Sequence, residues 1–201
     1  KWPYLGRSYQ SHQEVSQLIG DAFPGTLLLA TLAMCIATIL GIGFGMLAAL
    51  KKNTWVDTTL IMSTVTGISM PSFFAAVLMA YLFGFLWRDY TGLSMISPVW
   101  DLEPYAGRHF MWNSLVLPVS TLAIRPLALI TQITRNAVLD VLNQDYIRTA
   151  KAKGLTQAQI LWRHVMRNAL NPILTSVSGW MAELLTGSFF IESIFGWKGI
   201  G

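Results

Sequence analysis

Residues 22–50 read AFPGTLLLATLAMCIATILGIGFGMLAAL, 29 consecutive positions without a charged side chain, bounded by Asp21 and Lys51. About 20 apolar residues suffice to carry a helix across the hydrocarbon of a bilayer. Gly25–Leu50 is therefore read as a membrane span, with Pro24 suited to its first helical turn. The rest of the chain agrees in character. Its 201 residues are 53% hydrophobic and 12% charged, with a mean hydropathy of +0.49. The charged fraction is about half that of an ordinary soluble domain.

Three more charge-poor windows follow, at 58–87, 110–134 and 173–195. The second window contains Pro71 in SMPSFF, expected to kink the helix rather than end it, because a bilayer forces backbone pairing. The third is interrupted by Arg125-Pro126, and the fourth carries Glu183 in its middle and Glu192 near its far end. The expected fold is all-α: a polytopic membrane helix bundle with four spans and one cytoplasmic knob. The opening KWPYLGRSYQSHQE shows no signal-peptide pattern, and 1–201 is read as a single-domain fragment of a longer polytopic protein.

Basic residues orient the spans. Connections 51–57 and 135–172 together hold eight Lys and Arg residues, against five on the opposite side. The first set is read as cytoplasmic, so both ends of the chain face outward.

The stretch DYIRTAKAKGLTQAQILWRHVMRNALNP, Asp145–Pro172, is too long for a passive connection. Asp145 is placed to cap a short helix, and Gly154 stands where a left-handed residue would end it. Thr156 and Gln159 have the spacing of a capping box, with Leu155 and Ile160 as its hydrophobic staple. The second helix is expected to run to Asn171-Pro172, where the chain returns into the membrane. Two short helices about a glycine suggest a docking knob; ordinary positive-inside charge, a lipid-headgroup patch and a nucleic-acid patch are the other readings of the same basic residues.

Other motifs exclude functions. No phosphate-binding GxxxxGK[ST] occurs, so any energy source lies elsewhere. Gly41-x-Gly43-x-Gly45 lies inside a span, not after a strand, and is read as close helix packing through Gly41 and Gly45. One cysteine, Cys35, gives no disulfide framework, and the three histidines have no local metal spacing. A secondary transporter would need an inverted repeat, and none is visible. A membrane-embedded enzyme would need converging acids or histidines, whereas Asp57, Asp140 and Asp145 read as caps and loop residues.

The Asp145–Pro172 string resembles the cytoplasmic signature of permease subunits of binding-protein-dependent ABC importers. Within them it is similar to the dipeptide/oligopeptide/nickel class, first-permease type. SMPSFF, the Leu117-Pro118 pair, ITQITRNAVLDVLNQDYIRTAKAKGL and GSFFIESIFGWKGIG extend the likeness over nearly the whole chain. Gln132 stands where the resemblance leads one to expect an arginine, leaving Arg135 alone.

The resemblance implies spans two to five of an expected six, in a bacterial inner membrane, with a coupling region at 136–172. It implies no catalytic residue, metal or cofactor on this chain, ATP and Mg being held by partner ATPase subunits. The other implied partners are a second homologous permease subunit, an external solute-binding protein and the lipid bilayer, with no nucleic acid. Coupling to the ATPase would fall to Asp145, Tyr146, Arg148, Ala150, Lys153 and Gly154, and Pro71, Arg125, Glu183 and Glu192 are candidates for the translocation path. Arg125 lies ten residues before Arg135 and Glu183 ten after Ile173. Both should sit about 15 Å deep, paired, lining a wet path, or, for Arg125, bonded to carbonyls freed by Pro126. The outer connection Arg88–His109, with Trp100, Asp101, Glu103 and Tyr105, is expected to be structured and to face the binding protein or the solute.

Overall fold

The structure, a computed structural model, describes residues 5–9, 12–96, 100–103, 107–110 and 112–200. Helices dominate. They are α1 (Val15–Leu50), α2 (Trp55–Ser69), α3 (Ser72–Met79), α4 (Arg88–Thr91), α5 (Asn113–Leu142), α6 (Asp145–Ala152), α7 (Gln157–Ile160), α8 (Met166–Gly187) and α9 (Phe189–Phe195). Wider π turns extend α3 over Ala80–Leu86 and join α7 to α8 over Leu161–Val165. Strands β1 (Trp100–Glu103) and β2 (Gly107–Phe110) pair antiparallel, Trp100 opposite Phe110. The expected order in the outer connection is thus present as a helical turn and a hairpin; Tyr105 lies outside the described residues.

Among the described residues, α1 (36 residues) and α5 (30 residues) are each long and apolar enough to cross a membrane. Trp55–Ser69 and Ser72–Leu86 reach that standard only together, as a broken span or a re-entrant loop. The expected kink at Pro71 is therefore a break. Met70 (ψ 124°) and Pro71 (ψ 138°) are both extended, since proline pushes its predecessor out of the α region. In contrast, α1 starts nine residues before Pro24, which lies inside the helix rather than in its first turn. α5 runs through Pro118 and Pro126 without interruption. Thr121 and Thr131 on α5 each donate a hydroxyl hydrogen bond to the carbonyl four residues back, at 2.7 Å. Region 173–195 is divided between α8 and α9 at Ser188.

The described residues group into two compact units. The first gathers residues up to Ala33, Pro71–Leu122 and those from Glu183 onward; the second gathers Met34–Met70 and Ala123–Ala182. In the first unit α3 packs on α9, with the Phe73 and Phe190 rings 6.3 Å apart. Gly25 lies directly beneath Trp197 and the Lys198 carbonyl, where a β-carbon has no room.

In the second unit α1 meets α5 at backbone distance. A β-carbon on Gly45 would lie 2.5 Å from the Thr131 carbonyl oxygen, and one on Gly41 2.8 Å from Ile130 Cγ2. Gly43, between them, faces open space. The packing role read for Gly41 and Gly45 is the one the structure gives them. Asn53 makes the turn between α1 and α2 at φ +62°, a left-handed conformation that asparagine tolerates.

Candidate functional site

The knob is built from one amphipathic helix with two contrasting faces. Ile147 and Ala150 of α6, one turn apart, are buried. They join a single apolar cluster with Ala49 of α1, Val138 of α5, Ile160 of α7, Val165, and Met166 and Ala169 of α8. The other face of α6 exposes Asp145, Tyr146 and Arg148, and Lys153 at its C-cap is exposed as well.

Both ends of α6 follow from local chemistry. Gln144 occupies the N-cap position and Asp145 is the first helical residue, so Asp145 does not cap as expected; its carboxylate meets Arg148 at 3.4 Å on the surface. Exposed pairs of this kind contribute little. At the C-terminus the Gly154 N–H donates to the Lys151 carbonyl (3.0 Å) and the Leu155 N–H to that of Ala150 (3.3 Å). This Schellman closure requires the left-handed φ of +80° at Gly154.

Thr156 and Gln159 form the expected capping box at the start of α7. Leu155 and Ile160, expected as its staple, both pack into the apolar cluster. The second helix runs past Asn171-Pro172. It continues from α7 through Leu161–Val165 into α8, with Pro172 inside.

Beside α6 lies a depression of about 410 Å³ lined by Tyr146, Thr149, Ala150, Lys153, Leu155 and His164. Tyr146 is 43% exposed, and its hydroxyl accepts a hydrogen bond from Asn168 Nδ2 at 3.1 Å. The same amide donates to the His164 carbonyl at 2.8 Å, fixing the ring against α8. Of the six residues expected to couple, Tyr146, Arg148, Lys153 and Asp145 thus face outward, while Ala150 faces the core. A β-carbon on Gly154 would meet nothing within 4 Å, so this glycine is required by its backbone angle and not by packing within the chain.

Two polar contacts join α2 to α5. Arg135 donates from Nε and Nη2 to the two carboxylate oxygens of Asp57, at 2.6 and 2.7 Å. Asp57 also accepts from the Asn53 N–H at 3.1 Å and is 4% exposed. It is more than the loop residue expected from sequence. One turn earlier on α5, Gln132 Nε2 donates to Thr64 Oγ1 at 2.9 Å. The residue standing in place of an expected arginine thus makes a neutral contact.

In the first unit Glu192 is 1% exposed. Its Oε1 accepts from Thr26 Oγ1 (2.6 Å) and Ser188 Oγ (2.9 Å). Thr26 in turn accepts the Ile200 N–H at 3.0 Å. No sequence spacing could have found this cluster, because Thr26 and Glu192 are 166 residues apart. Glu183 and Pro71 are exposed. Arg125 belongs to the second unit and Glu183 to the first. The Arg125 guanidinium lies 5.7 Å from the centre of the Trp180 ring, and its Nε is buried without a hydrogen-bond partner among the described residues.

The family described as "Binding-protein-dependent transport system inner membrane component" matches residues 41–201. The dipeptide transport system permease protein DppB of Bacillus subtilis (strain 168) is 37% identical over 187 residues, covering 93% of this chain and 56% of that protein. Its namesake in Haemophilus influenzae is 38% identical over 210 residues, covering 98% and 63%. A putative peptide transport system permease protein of Brucella abortus (strain 2308) is 38% identical, covering 98% and 61%. The chain thus spans less than two thirds of the length of these relatives.

Among solved structures, the inward-facing MetNI methionine ABC transporter superposes with a TM-score of 0.72 at 17% identity, covering 92% of this chain and 78% of that one. An amino acid ABC transporter gives 0.67 at 16% identity, covering 98% and 80%. At these identities the likeness concerns the fold.

Proposed function

The chain belongs to the family of binding-protein-dependent transport system inner membrane components, and from that membership we propose that it serves as the membrane-spanning subunit of an ATP-driven importer. It is a multi-pass inner-membrane protein, and its cargo is peptides or similar small solutes, the class named for its relatives. It forms the translocation path with a second homologous permease subunit. An external binding protein delivers the solute, and separate ATPase subunits hold ATP and Mg. Coupling to the ATPase runs through α6, within the coupling region 136–172, and the outer hairpin of β1 and β2 faces the binding protein.

The observation that carries this reading is the two-faced packing of α6. Its inner residues Ile147 and Ala150 share one apolar cluster with Ala49, Val138, Met166 and Ala169. A close-packed core transmits displacement rather than absorbing it. A partner that moves the outer face, at Tyr146, Arg148 and Lys153, therefore moves the adjoining ends of α1, α5 and α8 together. The open space at Gly154 and the depression beside Tyr146 leave room for the partner's surface.

Cysteine crosslinking tests the proposal in the complete importer, with exposed Cys35 replaced by serine. Cysteines at Tyr146 and Lys153 should crosslink to the ATPase, and the yield should change with ATP. Absence of crosslinks there, with strong ones at positions 51–57, would sink the assignment. Failure of any ATPase to co-purify with the permease would favour a secondary transporter or a membrane-embedded enzyme instead.

A further inference from the structure

Arg125 is the one basic residue inside the charge-poor windows, ten residues (about 15 Å along a helix) before Arg135. A cation at that depth costs at least about 2.5 kcal/mol on insertion scales and calls for a partner. No carboxylate of its own unit supplies one. Asp57 is held by Arg135 through both oxygens, Asp145 meets Arg148, and Asp140 lies fifteen residues further along the chain. What Arg125 has is the Trp180 ring, 5.7 Å from its guanidinium carbon, while its buried Nε has no hydrogen-bond partner among the described residues.

A second polar group, on the face of α8 that carries Trp180, is also unsatisfied. Ser176 precedes Trp180 by four residues on α8, and its buried hydroxyl has no partner among the described residues. Its neighbours Thr175 and Ser178 behave differently. Each donates to the carbonyl four residues back, at 3.1 and 3.0 Å.

We propose that Arg125, braced on Trp180 and accompanied by Ser176, is a carboxylate-binding site for the transported solute. A guanidinium fork matches two coplanar oxygens, and such a charge-assisted contact is strong and orienting. Lipid phosphates lie at the headgroup level, about 15 Å away from this depth, so a lipid headgroup does not reach this guanidinium. The carboxylate terminus of a peptide satisfies this chemistry. The assignment rests on the importer reading and adds the solute group that the path recognises.

The test measures equilibrium binding of dialanine and of dialanine amide to the purified permease–ATPase complex in nanodiscs, without the binding protein. The wild-type complex should prefer the carboxylate form by about 10-fold or more. Arg125→Gln should abolish that preference, Arg125→Lys should keep part of it, and Trp180→Leu should weaken it with the charge retained. No preference in the wild type, or an unchanged one in Arg125→Gln, overturns the proposal. So does restoration of transport by combining Arg125→Glu with Glu183→Arg after loss in each single variant, which would make Glu183 the partner. Failure of the ATPase to co-purify with the wild type would overturn the importer reading on which the assignment rests, whereas an unchanged preference in Arg125→Gln overturns the assignment alone.

Discussion

Arg135 of α5 grips Asp57 of α2 through both carboxylate oxygens, joining residues 78 positions apart. The side chains are 20% and 6% exposed, so neither charge is fully hydrated if the other is removed. Asp57→Asn or Arg135→Gln should each lower stability by about 3 kcal/mol, the low end for breaking a buried pair. The double variant should lose less than the sum of the singles. Thermal unfolding of the purified protein in detergent measures all three, and additive losses would show that the pair is not coupled.

Gly43 and Gly45 provide a matched comparison two residues apart on α1. Gly45→Ala places a methyl group 2.5 Å from the Thr131 carbonyl and from Thr134 Cβ, which forces α1 and α5 apart. Gly43→Ala meets nothing within 4 Å and should gain up to about 1 kcal/mol of helix propensity. The two substitutions should therefore shift the melting temperature in opposite directions. Equal shifts would contradict the close approach.

Gly154→Ala should cost about 1 kcal/mol through the left-handed backbone alone, and Gly154→Asn less, because asparagine tolerates that conformation. Solute uptake per ATP hydrolysed separates this cost from a docking defect. If Gly154→Asn remains stable yet uncouples hydrolysis from uptake, the open space above Gly154 is occupied by the ATPase. Normal coupling in both variants would place the contact elsewhere.

Thr26 both donates to Glu192 and accepts from the Ile200 N–H, so its hydroxyl ties α1, α9 and the segment that follows α9 together. Thr26→Val keeps the shape and removes the hydroxyl. Backbone amides of Trp197–Ile200 should then exchange hydrogen faster, while Thr26→Ser should behave as the parent does. Unchanged exchange in Thr26→Val would show that other contacts hold the segment.

The legible parts of the site were the local ones. The Thr156–Gln159 capping box and the left-handed Gly154 depend on neighbours within five residues, so residue type and spacing reveal them. Proline was misread in both directions. Pro24, read as part of a first turn, lies inside a helix, whereas Pro71, read as a kink, ends one. A proline restricts only its own position and the one before it, and whether a helix survives depends on neighbours that sequence does not name. Asp145 was read as a cap because aspartate favours that position, yet it stands one residue inside the helix.

What the sequence by itself determined is the solvent and the scaffold: charge-free stretches long enough for a bilayer, and a helix pair around a glycine. Hydrophobic length and local hydrogen bonding are properties of contiguous residues. Tertiary structure alone decided which face of α6 is sealed, that Asp57 belongs to Arg135, that Glu192 is closed in by Thr26 and Ser188, and that Arg125 rests on Trp180. Each of these pairs a side chain with a residue at least four positions away, most often on another helix. A buried charge or hydroxyl takes its meaning from the partner that replaces its lost water, and only folding brings that partner within reach.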